Sequence, residues 1–434
     1  MNTPAAAHAT LAGPPVETAA GWRGGWRDGL SYGALGLPLA FVALPLYVIL
    51  PNHYASVFGV PLATLGALLL AARLLDAFAD PWIGRWIDRG FAHSSRRVLL
   101  ALSAAAVVLA SGFHALFFPP VREGAALLAW CAAALAVTYL AFSVATVAHQ
   151  AWGARLGGSE RQRAGIVSWR EGLALVGVLV ASVLPSIAGL GAATATFAVL
   201  LCLGVAALWW APRTVGAAAA APARPPVQPL RTAEFRALLA VYLVNGIASA
   251  VPATLVLFFI RDRLQAPDFE PVFLASYFAA GALSMPLWVR AVARWGLARS
   301  WLAGMGLAIA TFAWASLLGA GDVAGFVAVC VASGVALGAD LALPGALLTG
   351  VIQRAGHAGR LEGAYFGWWN FATKLNLALA AGIALPLLAL FGYTPGSRSA
   401  GALQALTLAY CVLPCVLKLA AAALLHTLWI RRSR

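Results

Sequence analysis

Charge is what this chain has least of. Only 10% of its 434 residues are Asp, Glu, Lys or Arg, while 62% are hydrophobic; a water-soluble domain carries about a quarter charged residues. Acidic residues are the scarcest, at 15 in all, so any that falls inside an apolar run needs a physical reason. The five cysteines, Cys131, Cys202, Cys330, Cys411 and Cys415, form no CxxC pair and lie within or beside apolar runs, where they are expected to pack rather than bridge. HExxH and clustered histidines are missing, which argues against a polytopic membrane enzyme. Strand-like alternation is absent as well, which rules out a β-barrel.

What is present is a recurring apolar run of about twenty residues, long enough to cross a ~30 Å hydrocarbon core. Mean hydropathy is +0.85. The expected fold is all-α, a polytopic membrane protein with twelve transmembrane helices. The spans are placed at 30–50, 60–80, 98–118, 125–151, 167–190, 193–211, 236–260, 272–293, 301–320, 323–352, 363–391 and 402–430. Ala, Gly and Leu dominate them, as close helix packing in lipid requires.

The net charge of +14 would suggest a nucleic-acid partner in a soluble protein. Here the arginines are spread over alternate loops, so topology accounts for them and no nucleic acid is expected. Arg23 and Arg27; Arg85, Arg89, Arg96 and Arg97; Arg155, Arg161 and Arg163; Arg213, Arg224, Arg231 and Arg236 all fall on one side. So do Arg290, Arg294 and Arg299, Arg354 and Arg360, and Arg431, Arg432 and Arg434. The other side holds only Arg122, Arg261, Arg263 and Arg398. By the positive-inside rule, both termini are expected in the cytoplasm of a multi-pass inner-membrane protein. Residues 1–20 lack the order of a signal peptide and are expected to form a short disordered tail, within a cytoplasmic N-terminal segment over 1–29.

Segment 212–235 is rich in Pro and Ala and reads as a cytoplasmic linker. It divides the chain into six-helix halves, 30–211 and 236–434. This arrangement resembles the major facilitator superfamily, in which the substrate site lies between the halves. A faint repeat supports it: Pro81 to Gly90 with Arg96 and Arg97 in the first half, Pro286 to Arg290 with Arg294, Gly296 and Arg299 in the second.

Ionisable residues inside the hydrocarbon cost several kcal/mol unless paired or hydrated, so they mark function. Six stand out: Arg73, Asp76, Asp80, Asp340, Lys374 and Lys418. Asp76 and Asp80 share a helix face, with Arg73 one turn below. Two carboxylates this close in low dielectric need a cation, a proton or a basic partner; a structural Arg73–Asp76 pair is the plainer alternative. Pro81 leaves the Ala77 carbonyl without its helical donor. Lys374 needs a carboxylate partner, either Asp340 or the Asp76/Asp80 pair. Asn370 and Asn376 are candidates for the same cavity, as are Tyr32, Trp152 and His149, the last also a candidate proton relay. Lys418 is expected to snorkel to the membrane surface.

The run from Arg73 through Asp76, Asp80, Gly84 and Asp88 to Arg89 resembles the second-span signature of the glycoside–pentoside–hexuronide:cation symporters, the melibiose permease group. The run from Glu362 to Lys374, continuing to Pro395, resembles that family's second signature, and Gly338–Pro344 and Arg161–Arg170 are similar to its tenth span and its loop after the fourth. The resemblance implies a cation site at Asp76 and Asp80, a functional Lys374, and a gating loop at Gly84, Asp88 and Arg89. Two departures stand against a galactoside. The first span, with Tyr32, Tyr47 and Asn52 as its sparse polar set, lacks the family's carboxylate, and Ala148 and His149 replace its fourth-span acid. Ala79 supplies no side-chain oxygen between the two acids, so a coupling proton is favoured over sodium. The expectation is a monomeric symporter for a small organic solute, a sugar or glycoside by resemblance, embedded in the lipid bilayer and without a cofactor. Proton-coupled efflux, or transport of a lipid-like amphiphile, is the alternative.

Overall fold

The computed structural model describes residues 22–214 and 225–431. The expected tail up to residue 21, the linker stretch 215–224, and Arg432 and Arg434 lie outside the described residues. Every regular element among those described is helical.

The first expected span is a broken helix: α1 (Trp26–Gly33), α2 (Gly36–Phe41), a π-helical turn at Pro45–Ile49, and α3 (Leu50–Phe58). Pro38, Pro45 and Pro51 each remove a backbone donor, which is why the ladder shifts there. Next come α4 (Leu62–His93), α5 (Ser95–Phe117) and α6 (Gly124–Arg155). A capping box, Ser159 with Gln162, starts α7 (Glu160–Trp209). This run kinks at Gly189, whose φ of 80° is left-handed, just beyond Pro185. The second half comprises α8 (Ala233–Phe258), α9 (Glu270–Trp295), α10 (Leu297–Ala315), α11 (Val323–Arg354), α12 (Glu362–Leu390), α13 (Ala400–Thr407) and α14 (Leu413–Leu425). A π-helical turn at Leu408–Val412 joins the last two.

Nine segments among the described residues are long and apolar enough to cross a membrane, against the twelve expected. The difference lies in three places. The run Glu160–Trp209 holds two expected spans, and α4, diluted by Arg73, Asp76 and Asp80, and α10 are not among the nine. The expected loop after residue 80 is a correction of substance. Helix α4 continues through Pro81 to His93, so the motif from Gly84 to Arg89 is helical. The linker also differs from a wholly free segment. Trp152 Nε1 donates to the Pro212 carbonyl at 3.2 Å, Trp368 Nε1 to that of Pro226 at 2.9 Å, and a 3₁₀ turn forms at Gln228–Arg231.

Close approach of the two halves is concentrated at the arginine-rich end of the bundle. A Cβ on Gly84 would lie 2.0 Å from the Gly363 carbonyl oxygen, and one on Gly367 would lie 2.4 Å from that of Asp80. Only hydrogen at these positions lets α4 and α12 touch along their backbones. Asp88 then reaches the start of α12 and accepts from the backbone N–H groups of Gly363 (2.8 Å) and Ala364 (2.9 Å). A carboxylate at a helix N-terminus satisfies orphan donors and complements the helix dipole. Arg155 joins the group, 3.6 Å from Asp88 and 2.8 Å from Glu362. Beside it, Arg163 donates to Gln353 Oε1 at 2.8 Å, and the Leu297 N–H donates to Glu160 Oε2 at 2.9 Å. The bundle is therefore closed at its basic end.

Widening glycine should undo this closure. Gly84→Leu or Gly363→Leu is expected to push α4 off α12 and break the Asp88 bonds. Spin labels at Arg89 and Arg360, both exposed, should then report a longer distance by electron–electron resonance. An unchanged distance would mean that the glycine contact does not hold the end shut.

Candidate functional site

Helices α4 and α12 also carry the charged centre. Asp76 and Asp80 lie four residues apart on α4, so their carboxylates stack on one face. Lys374, on α12, places its ammonium between them, 2.6 Å from Asp76 Oδ2 and 2.8 Å from Asp80 Oδ2. Ser143 on α6 completes the group: its hydroxyl donates to Asp76 Oδ1 at 2.6 Å and accepts from Lys374 at 2.8 Å. Asp80 is fully buried and Asp76 nearly so, while the Lys374 side chain keeps 20% of its surface exposed. Asp80 Oδ1 has no hydrogen-bond partner. Two carboxylates share one ammonium, so one negative charge is uncompensated within the triad, and an unsatisfied buried carboxylate oxygen marks where a proton or cation would be stabilised.

The other expected residues divide sharply. Arg73 does not pair with Asp76; its guanidinium stacks 3.9 Å over the Tyr47 ring. Asp340 is not the partner of Lys374, and Lys418 does not snorkel. These two pair with each other at 2.6 Å, and the Lys418 side chain is only 4% exposed. Lys418 sits mid-membrane on α14, so reaching Asp340 on α11 is shorter than reaching water. The pair is saturated. Lys418 also donates to Asn245 Oδ1 (2.9 Å) and Ser249 Oγ (3.1 Å), while Asp340 accepts from Asn245 Nδ2 (3.1 Å), Ser249 (3.1 Å) and Trp301 Nε1 (2.9 Å).

His149 is locked away from the charged centre. Its Nε2 meets the Tyr32 carbonyl at 2.7 Å, which requires that nitrogen to donate, and the Tyr32 hydroxyl returns a bond to the His149 carbonyl at 3.2 Å. Tyr32 and His149 thus tie the first span to α6. Trp152 anchors Pro212 and lies tilted against Phe91, placing it at the basic end rather than in a central cavity. Asn370 is buried one turn before Lys374, and Asn376 packs on Gly246 with its Oδ1 buried and unpartnered. Of the motif residues, Gly84 and Asp88 lie in the closed end. Arg89 is exposed, whereas Arg85, 3.8 Å from Asp88, and Arg155, 3.6 Å from it, are the arginines that face this carboxylate among the described residues.

Several participants escaped the sequence reading. Ser143 gives no signal, because serine is common in membrane helices. Arg155 reads as a loop charge, and Glu362 only as the first residue of the second signature. Arg170 and Glu171, paired at 2.6 Å inside α7, are adjacent ionisable residues in an apolar run and could have been found by that criterion. Asn245 in α8 is a neutral amide and gives no such signal. Nearby, Tyr242 stacks on Trp369 at 3.7 Å and its hydroxyl meets Thr373 at 2.7 Å.

The two pairings predict separable rescues. Breaking a buried pair from one side costs about 3–5 kcal/mol, so Lys418→Ala should lower thermal stability in detergent, and adding Asp340→Asn should restore part of it. Lys374→Ala, at a more exposed lysine, should cost less and be rescued by Asp80→Asn but not by Asp340→Asn. Rescue of Lys374→Ala by Asp340→Asn would contradict the geometry.

A family model described as MFS/sugar transport protein matches residues 31–432. Among solved structures, the chain is similar to a bacterial homologue of the iron transporter ferroportin in an outward-facing state, at 16% identity and a TM-score of 0.65 over 92% of this chain and 99% of that one. The MFS transporter FucP in the outward conformation matches at 12% identity and a TM-score of 0.64, over 91% and 98%. The human organic anion transporter MFSD10 matches at 17% and 0.64, over 92% and 99%. Identities this low establish the fold alone. The family model spans nearly the whole chain, and with it the helices that carry Asp76, Asp80 and Lys374. The chain belongs to the MFS/sugar transport protein family and is a multi-pass membrane transporter, not an enzyme.

Proposed function

We propose that the protein is a secondary active transporter that couples entry of a small organic solute, a sugar or glycoside by its family, to a proton taken up at Asp76 and Asp80. The observation that carries this reading is the position of Lys374. Its ammonium occupies the space between the two carboxylates, 2.6 and 2.8 Å from them. A sodium ion there would have to displace or face an ammonium, and among the described residues Ser143 is the one neutral side-chain oxygen bonded to the triad. A proton needs only one carboxylate oxygen, and Asp80 Oδ1 is buried without a partner.

The coupling follows from charge. Protonating one acid removes the excess negative charge of the triad and loosens the hold of α4 on Lys374, which belongs to the other half. The carboxylates thereby link ion occupancy to the contact between halves, the contact that alternating access must break and remake. The positive-inside rule puts the basic end in the cytoplasm, so the closed end faces inward and solute enters from outside. Arg170, Glu171, Tyr242 and Trp369 offer the mixture of charge and aromatic surface that a sugar ring requires.

Proteoliposomes test this directly, with a panel of radiolabelled sugars and glycosides under an imposed proton gradient and then an imposed sodium gradient. Uptake should follow the proton gradient without sodium and collapse with a protonophore. Accumulation driven by sodium alone would overturn the proton assignment. Asp76→Asn and Asp80→Asn should each reduce concentrative uptake to background while still inserting in the membrane; a variant that still concentrates solute would remove that residue from the coupling site.

A further inference from the structure

The second half contains a partly open pocket that the charged centre does not use. A cavity of about 140 Å³ lies among α8, α9, α10, α11 and the α13–α14 segment, and none of Asp76, Asp80 and Lys374 lines it. Its walls carry the rings of Phe273, Tyr277, Phe312 and Tyr410, and the Asp340–Lys418 pair borders it. Both features work against stability taken alone. An ion pair in a dry interior can often be replaced by apolar residues at no cost, and unfilled volume forfeits packing. An intramembrane charge pair beside an aromatic cavity instead has the character of a ligand site.

Size and chemistry narrow the occupant. An apolar cavity of about 150 Å³ takes one benzene molecule, so this pocket holds a single ring. Charge is excluded at the inner end. All three protons of Lys418 are committed, and Asp340 accepts from Lys418, Asn245 and Trp301, with the single Ser249 proton shared between it and the Asn245 carbonyl, so an added charge finds its counter-ion already paired. Hydroxyl chemistry is available. Tyr277 and Tyr410 make no hydrogen bond to another described residue. Ser333 donates to the carbonyls of Val329 and Cys330 and keeps its lone pairs free to accept. We propose that this cavity binds a small, uncharged, single-ring alcohol or phenol, its ring among the four aromatic side chains and its hydroxyl toward Ser333 and Tyr277. The site is independent of the coupling reaction and would stand if that reaction were driven by another ion.

The test uses the full chain in lipid nanodiscs and 4-fluorobenzyl alcohol as the probe, followed by fluorine NMR against empty nanodiscs. A saturable component is expected beyond simple partition into lipid. Benzyl alcohol should compete with it; benzoate and benzylammonium at equal concentration should not. Ala336→Phe, which fills the cavity from α11, should weaken binding at least about tenfold, and Asp76→Asn should leave it unchanged. The double variant Tyr277→Phe with Ser333→Ala preserves volume and should lower affinity to that of 4-fluorotoluene, which decides the matter if Ala336→Phe does not fold. Partition indistinguishable from empty nanodiscs, equal binding of the two ions, undiminished binding in folded Ala336→Phe or in the double variant, or loss of binding in Asp76→Asn would each overturn the proposal.

Discussion

One ammonium shared between two carboxylates organises the centre of this protein. Lys374 belongs to α12 in the second half; Asp76 and Asp80 belong to α4 in the first. In a low-dielectric interior neither partner can be withdrawn without leaving a bare charge, so the triad works as an electrostatic clasp between halves. The helix contact beneath it exists to serve the same geometry. Gly84, Gly363 and Gly367 let the two backbones meet, and that proximity brings Asp88 to the first N–H groups of α12. Side-chain charge and backbone dipole thus act on the same pair of helices, a few turns apart.

The two intramembrane charge groups differ in a way that separates their roles. Asp340 and Lys418 balance one another, every donor and acceptor is used, and both residues lie in one half. Such a pair ties α11 to α14 with α8 and α10 around it. The Asp76–Asp80–Lys374 group is unbalanced by one charge, holds an unsatisfied oxygen and spans the interface. Of the two, only the second joins helices of the two halves. The physical distinction is satisfaction of valence, not burial, since both groups are largely removed from solvent.

The sequence by itself determined the solvent, the helical class and the acids that matter. Scarce charge and repeated apolar runs leave a chain no stable alternative to helices in lipid, and Asp76 and Asp80 four residues apart must share a face whatever surrounds them. The cost of an unpaired ammonium equally required Lys374 to find an acid. Tertiary structure alone decided which one, because partner choice depends on which helices are adjacent and at what depth, and spacing along the chain carries no record of that. Hence Arg73 turned to Tyr47 rather than Asp76, Asp340 to Lys418 rather than Lys374, and His149 to the backbone of Tyr32. Ser143 shows the limit most plainly. A serine in a membrane helix is unremarkable until folding sets it between a carboxylate and an ammonium, 2.6 Å from one and 2.8 Å from the other.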